Sequence, residues 1–301
     1  MAVKKLQLDF TQKIRALNVR AKRNIISKVL QGSMASLIKG RGLEFTDYRV
    51  YSPTDDASRI DWKASLRSRD VLIKEYEEEK ALNMYFLFDV SNSMLFSSHR
   101  KLKCEYAAEM IAAMAYSASK GGNGVGLVMF ADDIVEKVNI SSGRRSYPRI
   151  IRSLSNPEFY GGNFNMNKGL KFCMNFIKER SVLVIVSDFI GLDENWITYV
   201  KIASQRFDIM AMIIRDPRDD FLPPLGGQFM VQDPFSDEKL YVDTDDYADL
   251  YNADVMHEKE KLMRLFHLTK STSLFLNTKE DFAIPLSKFF QKRLKALGGE
   301  R

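Results

Sequence analysis

Met84-Tyr-Phe-Leu-Phe-Asp89-Val-Ser91-Asn-Ser93-Met94 is an apolar run that ends in an acid and then places two hydroxyls at alternate positions. A short continuous apolar run, rather than an alternating one, is the pattern of a strand buried on both faces of a parallel sheet. Working outward, the same pattern recurs at Val125 to Phe130, Val182 to Val186, Ile209 to Ile214 and Ser273 to Leu276. Segments of helical period separate these runs, at about 101 to 119, 146 to 155, 165 to 179, 194 to 205, 246 to 267 and 281 to 296. Strands alternating with helices of this length predict an α/β fold, a Rossmann-like sheet with crossover helices on both faces. Ile134 to Ile140 reads as an antiparallel edge strand, because Ala131-Asp132-Asp133 supplies a turn after Val125 to Phe130.

Two stretches break the alternation. Residues 1 to 80 form an N-terminal α/β extension, opening with a basic amphipathic segment in which Ile14, Leu17, Ala21, Ile25, Val29 and Leu30 repeat at helical spacing. Residues 81 to 301 then make up the main domain. Within it, residues 216 to 244 carry Pro217, Pro223, Pro224 and Pro234 around Gln228 to Val231 and Lys239 to Val242, which predicts an inserted β-hairpin.

The chain has 301 residues, 45% hydrophobic and 28% charged, which excludes collagenous and disordered classes. Its net charge of +6 is unevenly spread. Residues 1 to 41 hold ten basic residues against Asp9 alone, a net +9, which leaves −3 for the other 260 residues. The two cysteines, Cys104 and Cys173, lie far apart in helical segments, so neither a disulfide framework nor a zinc knuckle is available. The N-terminus has no signal-peptide core, and no apolar stretch approaches the ~20 residues of a membrane span. A cytoplasmic location is expected.

Ligand sites of open α/β sheets lie at the carboxyl ends of the strands, which gathers Asp89, Ser91 and Ser93 on one loop there. Val182 to Val186 runs into Ser187-Asp188-Phe189 and brings a second acid to an equivalent place. Hydroxyl and carboxylate oxygens converging at such an edge suit a hard divalent cation such as Mg²⁺. The competing structural reading gives the serines a helix-capping role and the acids ordinary turn chemistry.

Asp89-Val-Ser91-Asn-Ser93 resembles the Asp-x-Ser-x-Ser motif of von Willebrand factor A-like domains, which opens their metal-ion-dependent adhesion site. The chain also resembles the bacterial family called domain of unknown function 58. The matching phrases are Gly40-Arg-Gly42-Leu-Glu-Phe45, Tyr48-Arg49-Val-Tyr51-Ser-Pro53, Arg59-Ile-Asp61-Trp62, Gly124-Val-Gly126-Leu and Ser187-Asp188-Phe189. The resemblance implies an A-type sheet with Asp89, Ser91, Ser93 and Asp188 around Mg²⁺. It also implies a further ligand from the loop Gly161-Gly162-Asn163, where Asn163 replaces the family's threonine. Finally, it implies a non-enzymatic adaptor whose partner is a MoxR-type AAA+ ATPase.

Other features are read structurally. Gly121-Gly-Asn-Gly124 follows a helix and precedes a strand, the reverse of a phosphate loop, and reads as a helix stop. No Gly-x-x-x-x-Gly-Lys-Ser/Thr string is present, and single histidines such as His99, His257 and His267 read as surface or core residues, so no catalytic residue is expected. Trp62 is expected to anchor the N-terminal module to the sheet. The alternative function is anion binding, with the basic N-terminal helix engaging nucleic acid or an acidic membrane surface. Against it stands the reading in which Ile14, Leu17 and Ile25 dock that helix while its lysines are solvated. Nucleic acid is accordingly not the expected partner, whereas a peripheral membrane contact stays open.

Overall fold

A computed structural model describes residues 5–20, 44–53, 55–68, 70–77, 83–141, 145–224, 226–236 and 238–298. The apolar runs form a six-stranded sheet among these residues. Its strands are β3 (Asn83–Asp89), β4 (Gly124–Phe130), β5 (Ile134–Val138), β6 (Val182–Ser187), β7 (Asp208–Arg215) and β10 (Thr272–Asn277), in the spatial order β10-β7-β6-β3-β4-β5. All neighbours pair in parallel except the edge hairpin β4–β5. The crossovers are α3 (Lys103–Lys120), α4 (Ser146–Ser155), α5 (Met166–Phe176), α6 (Trp196–Arg206) and α8 (Thr244–Leu268), and α9 (Ala283–Gly298) follows the last strand. The sheet is the α/β arrangement that the run pattern predicts.

Because side chains alternate across a strand, each run feeds two cores. Met84, Phe86 and Phe88 pack with Val182, Val184 and Val186 on the face covered by α3, while Tyr85, Leu87, Leu183 and Ile185 pack against α5, α6 and α8 on the other. α3 is the most enclosed helix of the two layers. Its Ala107, Ala108, Ala112, Ala113, Ala115 and Ala118 are all fully buried. Small side chains let it lie close to the sheet while other elements cover its outer side.

One covering element is α1 (Phe10–Arg20), which packs against α3 and α9 and inserts the fully buried Leu17 into the same core. Two acids of α3 hold the chain leading into it. Glu105 accepts the backbone N–H of Gln7, and Glu109 accepts that of Asp9 at 2.7 Å together with the Lys101 ammonium at 2.6 Å. The docking reading therefore describes this helix as far as Arg20; Ala21, Ile25, Val29 and Leu30 lie outside the described residues.

Strands β1 (Glu44–Val50) and β2 (Leu72–Glu77) pair antiparallel, with the short helix α2 (Trp62–Ser65) between them. Asp61 caps α2 by accepting from the N–H groups of Lys63 and Ala64, and Arg49 forms a two-pronged ion pair with Asp55 at 2.7 Å. Trp62 corrects an expectation. It is the first residue of α2 and is 65% exposed, so it does not anchor this module. Helix α5 also ends earlier than expected, at Phe176, where Arg206 reaches across and donates to the carbonyls of Met174 and Ile177. The inserted hairpin is present as β8 (Gln228–Gln232) and β9 (Lys239–Asp243), preceded by the short helix α7 (Pro217–Asp220). Gly121 ends α3, and Gly122 takes a positive φ of 84°, as a helix stop requires.

Leu17→Ala is expected to lower stability by about 2–5 kcal/mol, the usual cost of emptying a core leucine site. Chemical denaturation measures the change, and a cost under about 0.5 kcal/mol, typical of surface positions, would show that α1 does not share the core.

Candidate functional site

The chain leaves β3 for β4 and β5 on one side, then returns to place β6, β7 and β10 on the other. The order reverses between β3 and β6, and at such a reversal the flanking loops diverge and leave a crevice at the carboxyl ends. Asp89 is the last residue of β3, and Asp188 directly follows β6. Phe88 is in register with Val186, so the two acids emerge side by side from neighbouring strands.

Both carboxylates are fully buried, as are Ser91 and, at 2% exposure, Ser93. Asp89 accepts the Ser187 hydroxyl at 2.6 Å through one oxygen and the Ser91 N–H at 2.9 Å through the other. The Ser91 and Ser93 hydroxyls face each other at 3.2 Å. Asp188 accepts the N–H of Ile190 at 3.0 Å. The intervening Phe189 is held at a φ of 55°, a left-handed conformation that a non-glycine residue adopts only at a cost. Its ring offsets that cost by packing on Trp196 and Phe266.

The fifth sequence candidate stands apart. Asn163 is exposed and makes no hydrogen bond among the described residues. Its loop nevertheless adjoins the serines, because Asn92 donates its N–H to Gly162 O at 2.9 Å and accepts the Gly162 N–H on its side chain at 3.0 Å. Gly161 and Gly162 take φ values of 120° and 99°, which explains the paired glycines. Asp89, Ser91, Ser93 and Asp188 thus form one buried cluster, and Asn163 lies on its rim.

Sequence reasoning missed the groups that complete the cluster. The Lys103 ammonium, 1% exposed, donates to Asp188 at 2.8 Å and to Asp219 of α7 at 2.7 Å. Burial by itself would lower its pKa, but the two carboxylates outweigh burial and hold it above the ordinary lysine value. Asp219 also accepts the N–H of Asp216, whose own carboxylate accepts from the N–H groups of Ser98 and Arg218 at 2.9 Å each. One signal was available. Lys103 opens α3, and a cation in the first turn opposes the helix dipole unless acids face it.

Three buried acids share one buried ammonium. Burial first, and then the charge of Asp188, push the pKa of Asp89 from 3.8 up to about 7. The surplus of negative charge and the facing hydroxyls fit a hard cation: Ser91 and Ser93 would hold it, with Asp89 and Asp188 balancing its charge.

The inserted hairpin meets this site at its tip. Asn92 donates to Pro234 O at 3.1 Å, the rings of Phe164 and Phe235 lie 6.3 Å apart, and Gly191 sits so close under Phe235 that an added Cβ would come within 2.7 Å of its ring.

The pattern of the family described as "Protein of unknown function DUF58" matches residues 47–261. The chain belongs to the DUF58 family. Its relatives include an uncharacterized protein of Mycobacterium tuberculosis, 26% identical over 96% of this chain and 91% of that protein. YeaD of Bacillus subtilis, also uncharacterized, is 27% identical over 36% of this chain and 25% of its own length. Among solved structures, the conserved hypothetical protein BatB of Bacteroides thetaiotaomicron is similar at 15% identity and a TM-score of 0.47, over 71% of this chain and 99% of that one. The SpRpn10 VWA domain is similar at 16% identity and a TM-score of 0.35, over 45% and 76%. The A-like reading of this DUF58 chain rests on its own strand order, with the Asp-x-Ser-x-Ser turn at the reversal point. None of its described helices is long and apolar enough to cross a membrane.

Lys103→Met is expected to cost about 3–5 kcal/mol in urea unfolding, because it leaves Asp188 and Asp219 buried without a counter-charge. Asp89 gives a pH signature. Its native pKa of about 7 exceeds the ordinary 3.8, so the native state binds the extra proton and stability falls as pH rises between those values. Asp89→Asn is expected to flatten that decline, and an unchanged slope would show that Asp89 does not titrate in this range.

Proposed function

We propose that this protein is a non-enzymatic interaction module whose partner docks, through an acidic side chain, on a Mg²⁺ ion held at the crevice between β3 and β6. The observation that supports this most is the buried cluster of Asp89, Ser91, Ser93 and Asp188, whose negative charge exceeds what Lys103 neutralises. A cation there removes the repulsion between Asp89 and Asp188, and a position left open on the ion makes recognition metal-dependent. The exposed Asn163 and the hairpin tip border the same crevice and offer the surrounding contact surface. The two cysteines suggest no alternative chemistry. Cys173 is pushed up to about 12 by burial and Cys104 is also raised, so both stay protonated thiols.

The family resemblance suggests a MoxR-type AAA+ ATPase as the partner. The test is co-elution of the two purified proteins, with wild type and with Ser91→Ala and Asp89→Ala variants. An ATPase of this kind itself uses Mg²⁺, so chelation alone does not discriminate. Calorimetric titration of Mg²⁺ into the isolated protein supplies the independent arm. Saturable Mg²⁺ binding lost in both variants, together with lost co-elution, is the expected result. Co-elution that survives both substitutions would overturn the metal-mediated reading, and absence of co-elution with wild type would overturn the choice of partner.

A further inference from the structure

A second crevice opens beyond the carboxyl ends of β7 and β10, on the far side of β6 from the candidate metal site. It is a cavity of about 510 Å³, within the range of roughly 300–1,000 Å³ typical of small-molecule sites. Its wall combines Ser98 and His99 from the loop before α3, Arg218 and Phe221 from the α7 segment, and Asn277 and Lys279 from the end of β10.

The charges of this wall are arranged for an anion. Asp220 also lines it, but the Lys259 ammonium lies 2.8 Å from that carboxylate and neutralises it. The side chains of Arg218 and Lys279, by contrast, have no hydrogen-bond or ion-pair partner among the described residues. Asn277 uses its side-chain oxygen to accept the Lys279 N–H at 2.9 Å, which leaves its amide hydrogens as donors. His99 is oriented from behind, with Nδ1 3.2 Å from the Asp216 carboxylate.

The strand ends next to Asn277 are joined by pairing and a backbone hydrogen bond. Arg215 and Asn277 are register partners, and the Thr278 N–H donates to Arg215 O at 2.9 Å. Arg215 is 3% exposed and Thr278 6%, yet the Arg215 Nε and Thr278 Oγ1 atoms are buried without a partner among the described residues. Neither residue is part of the crevice wall itself.

We propose that this crevice binds a small phosphate monoester. Two free cations, one of them a planar guanidinium fork, match a dianion of phosphate geometry. The cavity is much larger than a bare phosphate, so the ligand carries an organic body, and the 54% exposed ring of Phe221 gives that body an aromatic surface to lie on. The site is separate from the candidate metal site and owes nothing to bound metal.

The test is isothermal titration of the full chain with AMP, adenosine and inorganic phosphate, without added metal. Saturable AMP binding is expected, with adenosine silent and inorganic phosphate competing. Arg218→Ala with Lys279→Ala should weaken AMP about tenfold or more, whereas Lys292→Ala, which removes an exposed charge on α9, should leave it unchanged. Phe221→Ala should weaken AMP and spare inorganic phosphate. Since all these side chains are at the surface, melting curves should coincide with wild type. Failure of both AMP and phosphate to bind, binding untouched by the double substitution, or equal loss in Lys292→Ala would each overturn the site, and an indifferent Phe221→Ala would overturn the role given to the ligand's body.

Discussion

The carboxyl edge of the sheet is organised by one buried ammonium that must serve two acids from different parts of the chain. Lys103 opens α3, Asp188 directly follows β6 and Asp219 lies within α7, so a single charge fixes the start of the central helix, the middle of the sheet and the segment that leads into the hairpin. Desolvating three such groups is unfavourable unless each keeps its partner, which ties these elements to a narrow set of positions. Asp89 lies beyond the reach of this pairing, and burial, then the charge of Asp188, raise its pKa.

The α/β architecture was legible because parallel strands buried on both faces leave unbroken apolar runs, and each of the runs beginning near Met84, Val125, Val182, Ile209 and Ser273 became a strand of the sheet. Asp89, Ser91, Ser93 and Asp188 could be found for a similarly local reason, since each follows directly on a run. Lys103 and Asp219 could not. They are separated from each other by 116 residues and from any motif, and the force that joins them acts only once the strands are assembled. Trp62 misled because bulk and apolarity argue for burial, whereas its place as the first residue of a one-turn helix turns it outward.

The amino-terminal charge also reads differently in three dimensions. Amphipathic spacing marked Leu17 for burial, and it is buried, and a second attachment runs through two acids of α3. Glu105 and Glu109 are buried because they satisfy backbone N–H groups of the arriving chain, and Lys101 compensates Glu109. A polar stripe on a fully enclosed helix is thus a docking edge for a neighbouring segment. This is the reason α3 can be covered on its outer side without an apolar partner at every position.

The contacts of Pro234 and Phe235 bear on how the crevice can move. Asn92, Phe164 and Gly191 belong to loops that leave three different strands or their crossovers, and each touches the hairpin tip. Loops anchored only at their bases behave as separate fingers, each fluctuating on its own. Joined at a shared keystone they behave as a hoop, whose opening requires several contacts to yield together. The rim therefore trades rapid independent motion for a cooperative transition, and the residues of the insertion set its threshold from outside the crevice.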